Sequence, residues 1–403
     1  MPLPLYSLAL AVFAMGTSEF MLAGLLPDIA SDLGVTVGTA GTLTSAFAIG
    51  MIVGAPLMAG LARDRSPRSG LLGFVLVFVA AHVAGAAASG FPVLFAARIV
   101  AALANAGFLA VAVTTAAALV PGNRKGRAVA VLLSGTTVAT VAGVPGGAVL
   151  GTLLGWRVMF WAVAVLCVLA AVGILRGIPA RSVRAGEADG RVLRSELAQL
   201  GNRRLILVML LGALVNAATF ASFTFLAPIV TGTAGLDPLW IPVVLVLFGV
   251  GSFVGVTIAG RLSDRHPGLV LAIGGPLLLI GWPALAVTAG KPVVLLILVF
   301  VQGALSFALG STLITRVLYE AAGAPTMAGS YATAALNVGA AAGPLLAAAT
   351  LGTAAVGEGA ADLGPLWVSA LLVAIALLIA LPSGVVRRHG PRERGAEQRA
   401  EPN

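Results

Sequence analysis

The sequence predicts an all-α membrane protein with twelve transmembrane helices, arranged as two pseudo-symmetric six-helix bundles. Its 403 residues are 59% hydrophobic and only 10% charged. This composition excludes a water-soluble chain of this length, because a soluble surface must carry charge. Apolar runs of about 20 residues, the length that crosses a bilayer, recur along the chain. One charged loop sequence also recurs at an offset of 200 residues, half the chain length.

Twelve apolar runs mark the predicted spans. They are 4–26, 38–61, 69–90, 92–119, 127–152, 157–177, 205–230, 239–261, 268–289, 292–318, 325–352 and 364–384. The first run contains Glu19 and has no clear small-residue cleavage site, so we expect it to be retained as a span and not removed as a signal peptide. The predicted organisation is an N-terminal bundle at 1–177, a cytoplasmic linker at 178–204, a C-terminal bundle at 205–384 and a cytoplasmic tail at 385–403.

The distribution of charge predicts the orientation. If the N-terminus is cytoplasmic, 21 of the 24 basic residues fall in inside loops, the linker or the tail. Outside loops then carry mainly acidic residues, namely Asp28, Asp32, Asp237, Glu358 and Asp362. This asymmetry indicates that both termini are cytoplasmic. It also argues against a nucleic-acid partner, because the basic residues lie in short loops and form no basic face.

The repeated loop sequence lies between spans 2 and 3 and again between spans 8 and 9. Its members are Gly60, Asp64 and Arg65 in the first copy and Gly260, Asp264 and Arg265 in the second. Two related halves of this kind are typical of transporters that bind substrate between the halves. An aspartate near a helix terminus or an arginine is favourable, so these loops are candidate conformational latches. A solvated topology signal is the alternative.

Glu19 and Arg98 are the clearly intramembrane charges. Glu19 lies eight residues before Pro27, and Arg98 lies six residues after Pro92. At 1.5 Å per residue they are about 12 Å and about 9 Å below the same membrane face. An unpaired charge in hydrocarbon costs several kcal/mol, so each should face a partner or a cavity. We expect Glu19 to couple transport to protons and Arg98 to be its electrostatic partner; the alternative is a structural ion pair.

The second half has no counterpart of these charges, since an offset near 201 aligns Glu19 with Phe220. Mostly neutral polar residues are therefore the candidates for lining a substrate cavity. They are Asn105, Asn216, Thr219, Phe220, Gln302 and Asn337. The alternative for the polar members is hydrogen bonding between helices. His82, a lone histidine in span 3, is expected to be structural.

A glycine motif at Gly143, Pro145, Gly146 and Gly147 lies in span 5. Small residues recur there every four positions, from Gly135 to Gly151, so one helix face has no large side chains. Pro145 interrupts the hydrogen-bond ladder and permits a bend. The pattern repeats about 200 residues later, at Ala335, Gly339, Gly343 and Pro344. We expect these two faces to form the contact between the halves.

The sequence does not support an enzymatic function. The single Cys167 and three histidines offer no metal cluster and no catalytic constellation. The sequence contains no GxxxxGK[ST] run that would indicate ATP as the energy source. We therefore expect no cofactor and no metal, with the proton gradient as the driving force.

The loop and glycine motifs resemble those of the major facilitator superfamily, within its twelve-span drug:proton antiporter branch. The opening from Met15 to Phe20, together with Gly155, Trp156 and Arg157, is similar to actinomycete chloramphenicol-resistance exporters. Three positions depart from the family pattern: Pro67, Ser69 and Ala102.

This resemblance implies the major facilitator fold and a monomer in the bacterial inner membrane. It also implies proton-coupled efflux of a small amphiphilic drug by alternating access, with chloramphenicol or related phenicols as substrates. In such proteins the repeated loop favours the outward-facing state. Efflux of a sugar or another endogenous metabolite is the alternative, because the first-span pattern is shared with such exporters.

Overall fold

The structure is a computed structural model that describes residues 2–62, 66–121, 124–179, 198–263, 267–321, 323–324, 327–351 and 363–381. Within these ranges the chain forms fourteen α-helices of eight residues or more. They are α1 (Leu3–Phe20), α2 (Leu26–Leu33), α3 (Val37–Ala62), α4 (Pro67–Ala86), α5 (Phe91–Ala118), α6 (Lys125–Val138), α7 (Val144–Leu154), α8 (Trp156–Gly177), α9 (Arg203–Thr224), α10 (Trp240–Ser263), α11 (Pro267–Thr288), α12 (Pro292–Glu320), α13 (Ala328–Ala348) and α14 (Gly364–Ala380).

The predicted all-α fold of membrane-spanning helices is confirmed. Eleven helical stretches are long and apolar enough to cross a membrane, and α14 adds a twelfth apolar helix of 17 residues. Two spans are built from several pieces. A 3₁₀ turn at Met21–Gly24 continues α1, and a π-helical turn at Ala139–Gly143 joins α6 to α7. The helix α2 is a short additional element after the first span.

Pro145 explains the irregularity of span 5. A proline has no N–H to donate to the carbonyl four residues earlier, and its ring crowds the preceding turn. The π-helical turn at Ala139–Gly143 ends two residues before Pro145. Wide turns of this kind are a common way for a helix to bend.

The first span and the span that begins with α9 break at equivalent places. Leu25 has φ −116° and ψ −5°, and Phe225 has φ −109° and ψ 22°, so both depart from regular helix. Each break is followed within three residues by a proline, Pro27 or Pro228. Before the first break, Glu19 lies in the last turn of α1, where the helix gives way to the 3₁₀ turn.

Glycines bring helices into backbone contact inside each half of the chain. A Cβ at Gly50 would lie 2.6 Å from Ala102 of α5, and one at Gly54 would lie 3.0 Å from Ala106. The residues 201 positions later, Gly251 and Gly255, abut backbone carbonyls of α12 in the same way. The same close approach therefore joins α3 to α5 and α10 to α12.

The bulk-free face of span 5 packs against α1. A Cβ at Gly135 would lie 2.5 Å from the Ala9 carbonyl oxygen, and one at Gly143 would overlap Thr17. In the second half, a Cβ at Gly343 would overlap the Ala217 carbonyl of α9. The prediction that these faces join the two halves is wrong, since each joins two helices of one half. Periodicity shows that a face accepts a close neighbour, but it does not show which neighbour.

Contacts between the halves lie elsewhere. We call the membrane side on which α8 ends and α9 begins the linker side, and the opposite side the far side. On the far side, a Cβ at Gly38 of α3 would lie 3.2 Å from the Ala348 carbonyl of α13. Deeper in the membrane, a Cβ at Gly249 of α10 would lie 2.9 Å from the Thr140 carbonyl.

A central cluster also spans the two halves. It consists of Ala48, Phe220, Ala340 and Ala341, flanked by Phe20 and Ile52. Together with the contact of α3 with α13, this cluster closes the passage between the halves on the far side.

The predicted latch lies mostly outside the described residues. Gly60 and Gly260 are in the last turns of α3 and α10. Asp64, Arg65, Asp264 and Arg265 fall outside the described ranges, as do most of the predicted linker and the predicted tail. The latch therefore stays a prediction.

The glycine contact of α13 with α9 predicts a stability effect. Gly343→Ala should lower the free energy of unfolding by about 1–3 kcal/mol. The added methyl overlaps the Ala217 backbone, which cannot move away as a flexible side chain can. Gly329→Ala on the same helix is the control, since a Cβ there meets nothing within 4 Å. Thermal unfolding of the detergent-purified chain measures both. Equal melting temperatures for the two variants would contradict the contact.

Candidate functional site

Arg98 on α5 is the most deeply buried charge of the candidate site, with 1% of its surface exposed. Its Nη1 donates to the carbonyl oxygen and to the Oγ of Ser18 on α1, each at 2.9 Å. The guanidinium carbon lies 4.3 Å from the ring centre of Phe47 on α3, a favourable cation–π contact. Arg98 thus joins three helices at the depth of Glu19, as the spacing in the sequence predicts.

The guanidinium of Arg98 is only partly satisfied. Its Nε and Nη2 have no hydrogen-bond partner among the described residues. An arginine carries five N–H donors, and a buried charge without full pairing is costly. A position that is costly to the fold inside a membrane indicates a functional residue. The free edge of Arg98 can donate to a carboxylate or to a polar group of a ligand.

Glu19 follows Ser18 in the sequence and is half-buried. Its carboxylate has no hydrogen bond within the described part of the chain. The ion pair found there at 4 Å or less is Asp32 with Arg157. Arg98 and Glu19, both of which the structure describes, therefore make no ion pair at 4 Å or less. In this structure the two charges do not form the closed ion pair of the alternative interpretation.

His82 on α4 extends the site. Its Nδ1 is 2.9 Å from the Phe78 carbonyl oxygen, and its Nε2 is 2.7 Å from Ser18 Oγ. The ring lies 4.2 Å from that of Phe78 and 5.6 Å from that of Phe160, measured between ring centres. The expected structural role of His82 agrees with these contacts. Its link to Arg98 through Ser18 was missed, because residues 64 and 80 positions apart carry no local signal of contact.

The second half presents an aromatic row to this site. Phe220 lies 5.8 Å from Phe20 across the boundary between the halves, and 6.2 Å from Phe223. The row continues to Phe248 at 4.8 Å and to Phe307 at 6.2 Å. Alignment of the halves makes Phe220 the position equivalent to Glu19, but it did not predict the contact of Phe220 with Phe20.

Two of the predicted cavity residues lie near the central cluster. Asn216 is half-buried and donates to the Leu336 carbonyl at 2.7 Å. Asn337 is 9% exposed and donates to the Thr333 carbonyl at 3.0 Å. On their helices, each amide lies about one turn to the linker side of the cluster. Their role in substrate binding stays a prediction.

Three other predicted cavity residues are engaged in helix packing. Asn105 donates to the sulfur of Met51 at 3.5 Å, and Thr219 donates within α9. Gln302 is fully buried and donates to the Leu278 carbonyl of α11 at 3.2 Å. The structure groups these three with contacts inside each half, and their role in substrate binding stays a prediction.

The glycine motif shapes span 5 and lies against other helices of its own half. Gly143 faces Thr17 of α1, and a Cβ at Gly147 would lie 2.7 Å from the Met159 side chain of α8. Pro145 is buried, whereas Gly146 is exposed with open space around it. Within the described ranges, no group of three metal-ligating residues is present.

A polar contact on the far side fixes α2 to α8. Asp32 accepts hydrogen bonds from Arg157 and from the indole N–H of Trp156 at 3.2 Å. Arg157 also donates to the Ala88 carbonyl at 2.9 Å and stacks on Trp156. The Arg157 guanidinium holds the pKa of the Asp32 carboxyl below its usual range. Trp156 and Arg157, which were noted in the sequence, therefore have a structural role at this edge.

This ion pair predicts a pH-dependent stability. A carboxyl whose pKa is lowered by folding stabilises the protein above the unfolded value of about 3.9, and the benefit is lost as the pH falls below it. Arg157→Gln should lower the free energy of unfolding at pH 7 by less than about 1 kcal/mol, since both partners are partly exposed.

The difference from the wild type should shrink as unfolding is measured from pH 7 towards pH 3. Arg176→Gln, at the other end of α8, is the control and should show no such change. A difference for Arg157→Gln that is independent of pH would contradict the assignment.

The chain matches the family model of the Major Facilitator Superfamily over residues 8–344. It is 75% identical over 382 residues to the "Chloramphenicol resistance protein" of Streptomyces lividans, which covers 95% of this chain and 96% of that protein. It is 32% identical over 336 residues to the "Inner membrane transport protein YdhP" of Escherichia coli K12, covering 83% and 85% of the two chains.

Solved structures share the fold at low sequence identity. A bacterial homologue of the human lysosomal transporter Spinster, in an inward-facing and unoccupied conformation, has a TM-score of 0.75 at 17% identity. That match covers 94% of this chain and 96% of the other. A D-xylose–proton symporter has a TM-score of 0.71 at 16% identity and covers 93% and 96% of the two chains.

Proposed function

Because this chain belongs to the major facilitator superfamily and is a multi-pass membrane transporter, not an enzyme, we propose that it exports chloramphenicol or related phenicols in exchange for protons. The observation that carries the proposal is the 75% identity to a chloramphenicol resistance protein over nearly the whole of both chains.

The chemistry between the halves suits such a substrate. A phenicol has an aromatic ring together with hydroxyl and amide groups. The aromatic row at Phe20, Phe220 and Phe223 offers an apolar surface for a ring. Asn216 and Asn337, one turn to the linker side, offer neutral hydrogen-bonding groups. A few polar groups in an apolar setting are typical of small-molecule sites.

Proton coupling rests on Glu19. This carboxylate is half-buried, lacks a hydrogen-bond partner among the described residues and follows Ser18, which binds the partly satisfied Arg98. It is therefore free to bind and release a proton during transport. Exchange requires that the proton and the drug favour different states of the same two-state bundle.

The positive-inside pattern supports cytoplasmic termini in a bacterial inner membrane. The linker side is then cytoplasmic, and closure on the far side corresponds to an inward-facing state that can accept drug from the cell. In this proposal the protein acts as a monomer, and the proton gradient drives export without a cofactor.

The substrate assignment predicts drug protection. A chloramphenicol-sensitive bacterium that expresses the chain should accumulate less radiolabelled chloramphenicol than the same host with an empty vector. A protonophore should abolish this difference, because it removes the driving force. Susceptibility to unrelated drugs, measured in parallel, defines the specificity. Unchanged chloramphenicol accumulation and unchanged susceptibility would contradict the proposal and favour the metabolite alternative.

The coupling assignment predicts the behaviour of Glu19→Gln. The variant should lose pH-gradient-driven transport in proteoliposomes, because the amide cannot carry the proton. Its melting temperature should stay close to that of the wild type, since the carboxylate makes no hydrogen bond or direct ion pair in the described structure. Glu320→Gln, at the end of α12, is the matched control and should keep transport. Full gradient-driven transport by Glu19→Gln would overturn the coupling role.

A further inference from the structure

Ser18 stands between two buried side chains that the sequence does not connect. Its exposed surface is 0%, and its hydroxyl contacts His82 Nε2 at 2.7 Å and Arg98 Nη1 at 2.9 Å. A serine hydroxyl has one proton to donate and two lone pairs to accept with. Both kinds of capacity are used here, by partners from two other helices.

The direction of each hydrogen bond in this series follows from the chemistry of its groups when the imidazole is neutral. The Phe78 carbonyl only accepts, so His82 Nδ1 carries the proton that lies between them. In the neutral ring Nε2 then has no proton and accepts from Ser18. Arg98 has no acceptor, so its Nη1 donates to the Ser18 oxygen. Each group therefore donates a hydrogen bond to the next, in the order Arg98, Ser18, His82 and Phe78.

This arrangement holds one edge of Arg98 and leaves the other free. Nη1 is bound to the hydroxyl and the carbonyl of Ser18, whereas Nε and Nη2 have no partner among the described residues. Phe47 covers one face of the guanidinium. Glu19 is the next residue after Ser18, yet it has no ion pair with Arg98 within 4 Å.

We propose that Ser18 and His82 are positioning residues that hold Arg98 back from a direct ion pair with Glu19, so that Glu19 can take up and release the transported proton. This inference rests on the proposed role of Glu19 in proton coupling. A carboxylate in direct contact with a guanidinium is held in its charged form. A buried pair of that kind is also costly to separate, which would slow the exchange of protons.

His82 acts here through its geometry and not through its own titration. Arg98 on α5 and Glu19, next to Ser18, on α1 are the charged groups beside its hydrogen bonds. The helix α8, which packs against α4, carries Arg157 and Arg176 at its two ends. The helix α8 contributes the ring of Phe160. Stacking on Phe78 and Phe160 keeps the imidazole where its Nε2 meets Ser18.

The test compares Ser18→Ala, His82→Leu and the double variant in proteoliposomes, with chloramphenicol transport measured as a function of external pH. Loss of the hydroxyl removes one of the two bonds of Nη1, and loss of its acceptor leaves the hydroxyl without a fixed orientation, so in either case Arg98 can approach Glu19. The pH of half-maximal transport should therefore fall by about one unit in each single variant. The double variant should show no larger shift than either single variant, because both changes break one chain. Ser18→Thr, which keeps the hydroxyl, should retain the wild-type pH profile.

Folding is monitored by size-exclusion chromatography and melting temperature. Ser306→Ala is the matched control, since it removes a buried hydroxyl of the second half that has no hydrogen-bond partner in the described structure; its pH profile should be unchanged. A wild-type profile for a folded Ser18→Ala variant, or shifts that add in the double variant, would overturn the positioning role alone. If Glu19→Gln, measured alongside, keeps proton-driven transport, the proposed coupling fails and this inference with it.

Discussion

The guanidinium of Arg98 inside the membrane is the constraint on which the centre of the first half depends. Hydrocarbon offers no water to its five N–H donors, so the protein must supply acceptors. Ser18 provides two, Phe47 provides a ring face, and His82 orients Ser18. One charge thereby ties together α1, α3, α4 and α5. The same helices carry Glu19, so the cost of burying Arg98 is linked to the place where a proton can bind.

Close helix packing makes this arrangement possible, because polar side chains as short as serine reach a neighbour only when the helices nearly touch. Glycines supply that closeness at equivalent positions of both halves, as at Gly54 against α5 and Gly255 against α12. The packing is shared, but the chemistry is not. Where the first half has Glu19, the second has Phe220 and an aromatic row. In the proposed function, the first half exchanges the proton and the second half offers an apolar surface to the drug.

Much of the fold follows from the sequence because the bilayer permits few backbone structures. A run of about 20 apolar residues must be helical there, since every backbone group needs a partner within the segment. The prolines likewise predicted where helices bend, as at Pro145 in span 5. For the site, the depths of Glu19 and Arg98 followed from counting residues along two helices. The identity of their neighbours did not follow, since Ser18 and Arg98 are 80 residues apart.

The sequence by itself determined the all-α membrane fold, the duplication of its parts and the restriction of the intramembrane charges to the first half. These properties depend on composition and on spacing along single helices. Only the tertiary structure decided that the glycine face of span 5 packs on α1, and that Arg98 binds Ser18 and makes no ion pair with Glu19 within 4 Å. Helix periodicity defines a face but leaves open the helix that covers it, because many neighbours can satisfy the same small or polar side chains.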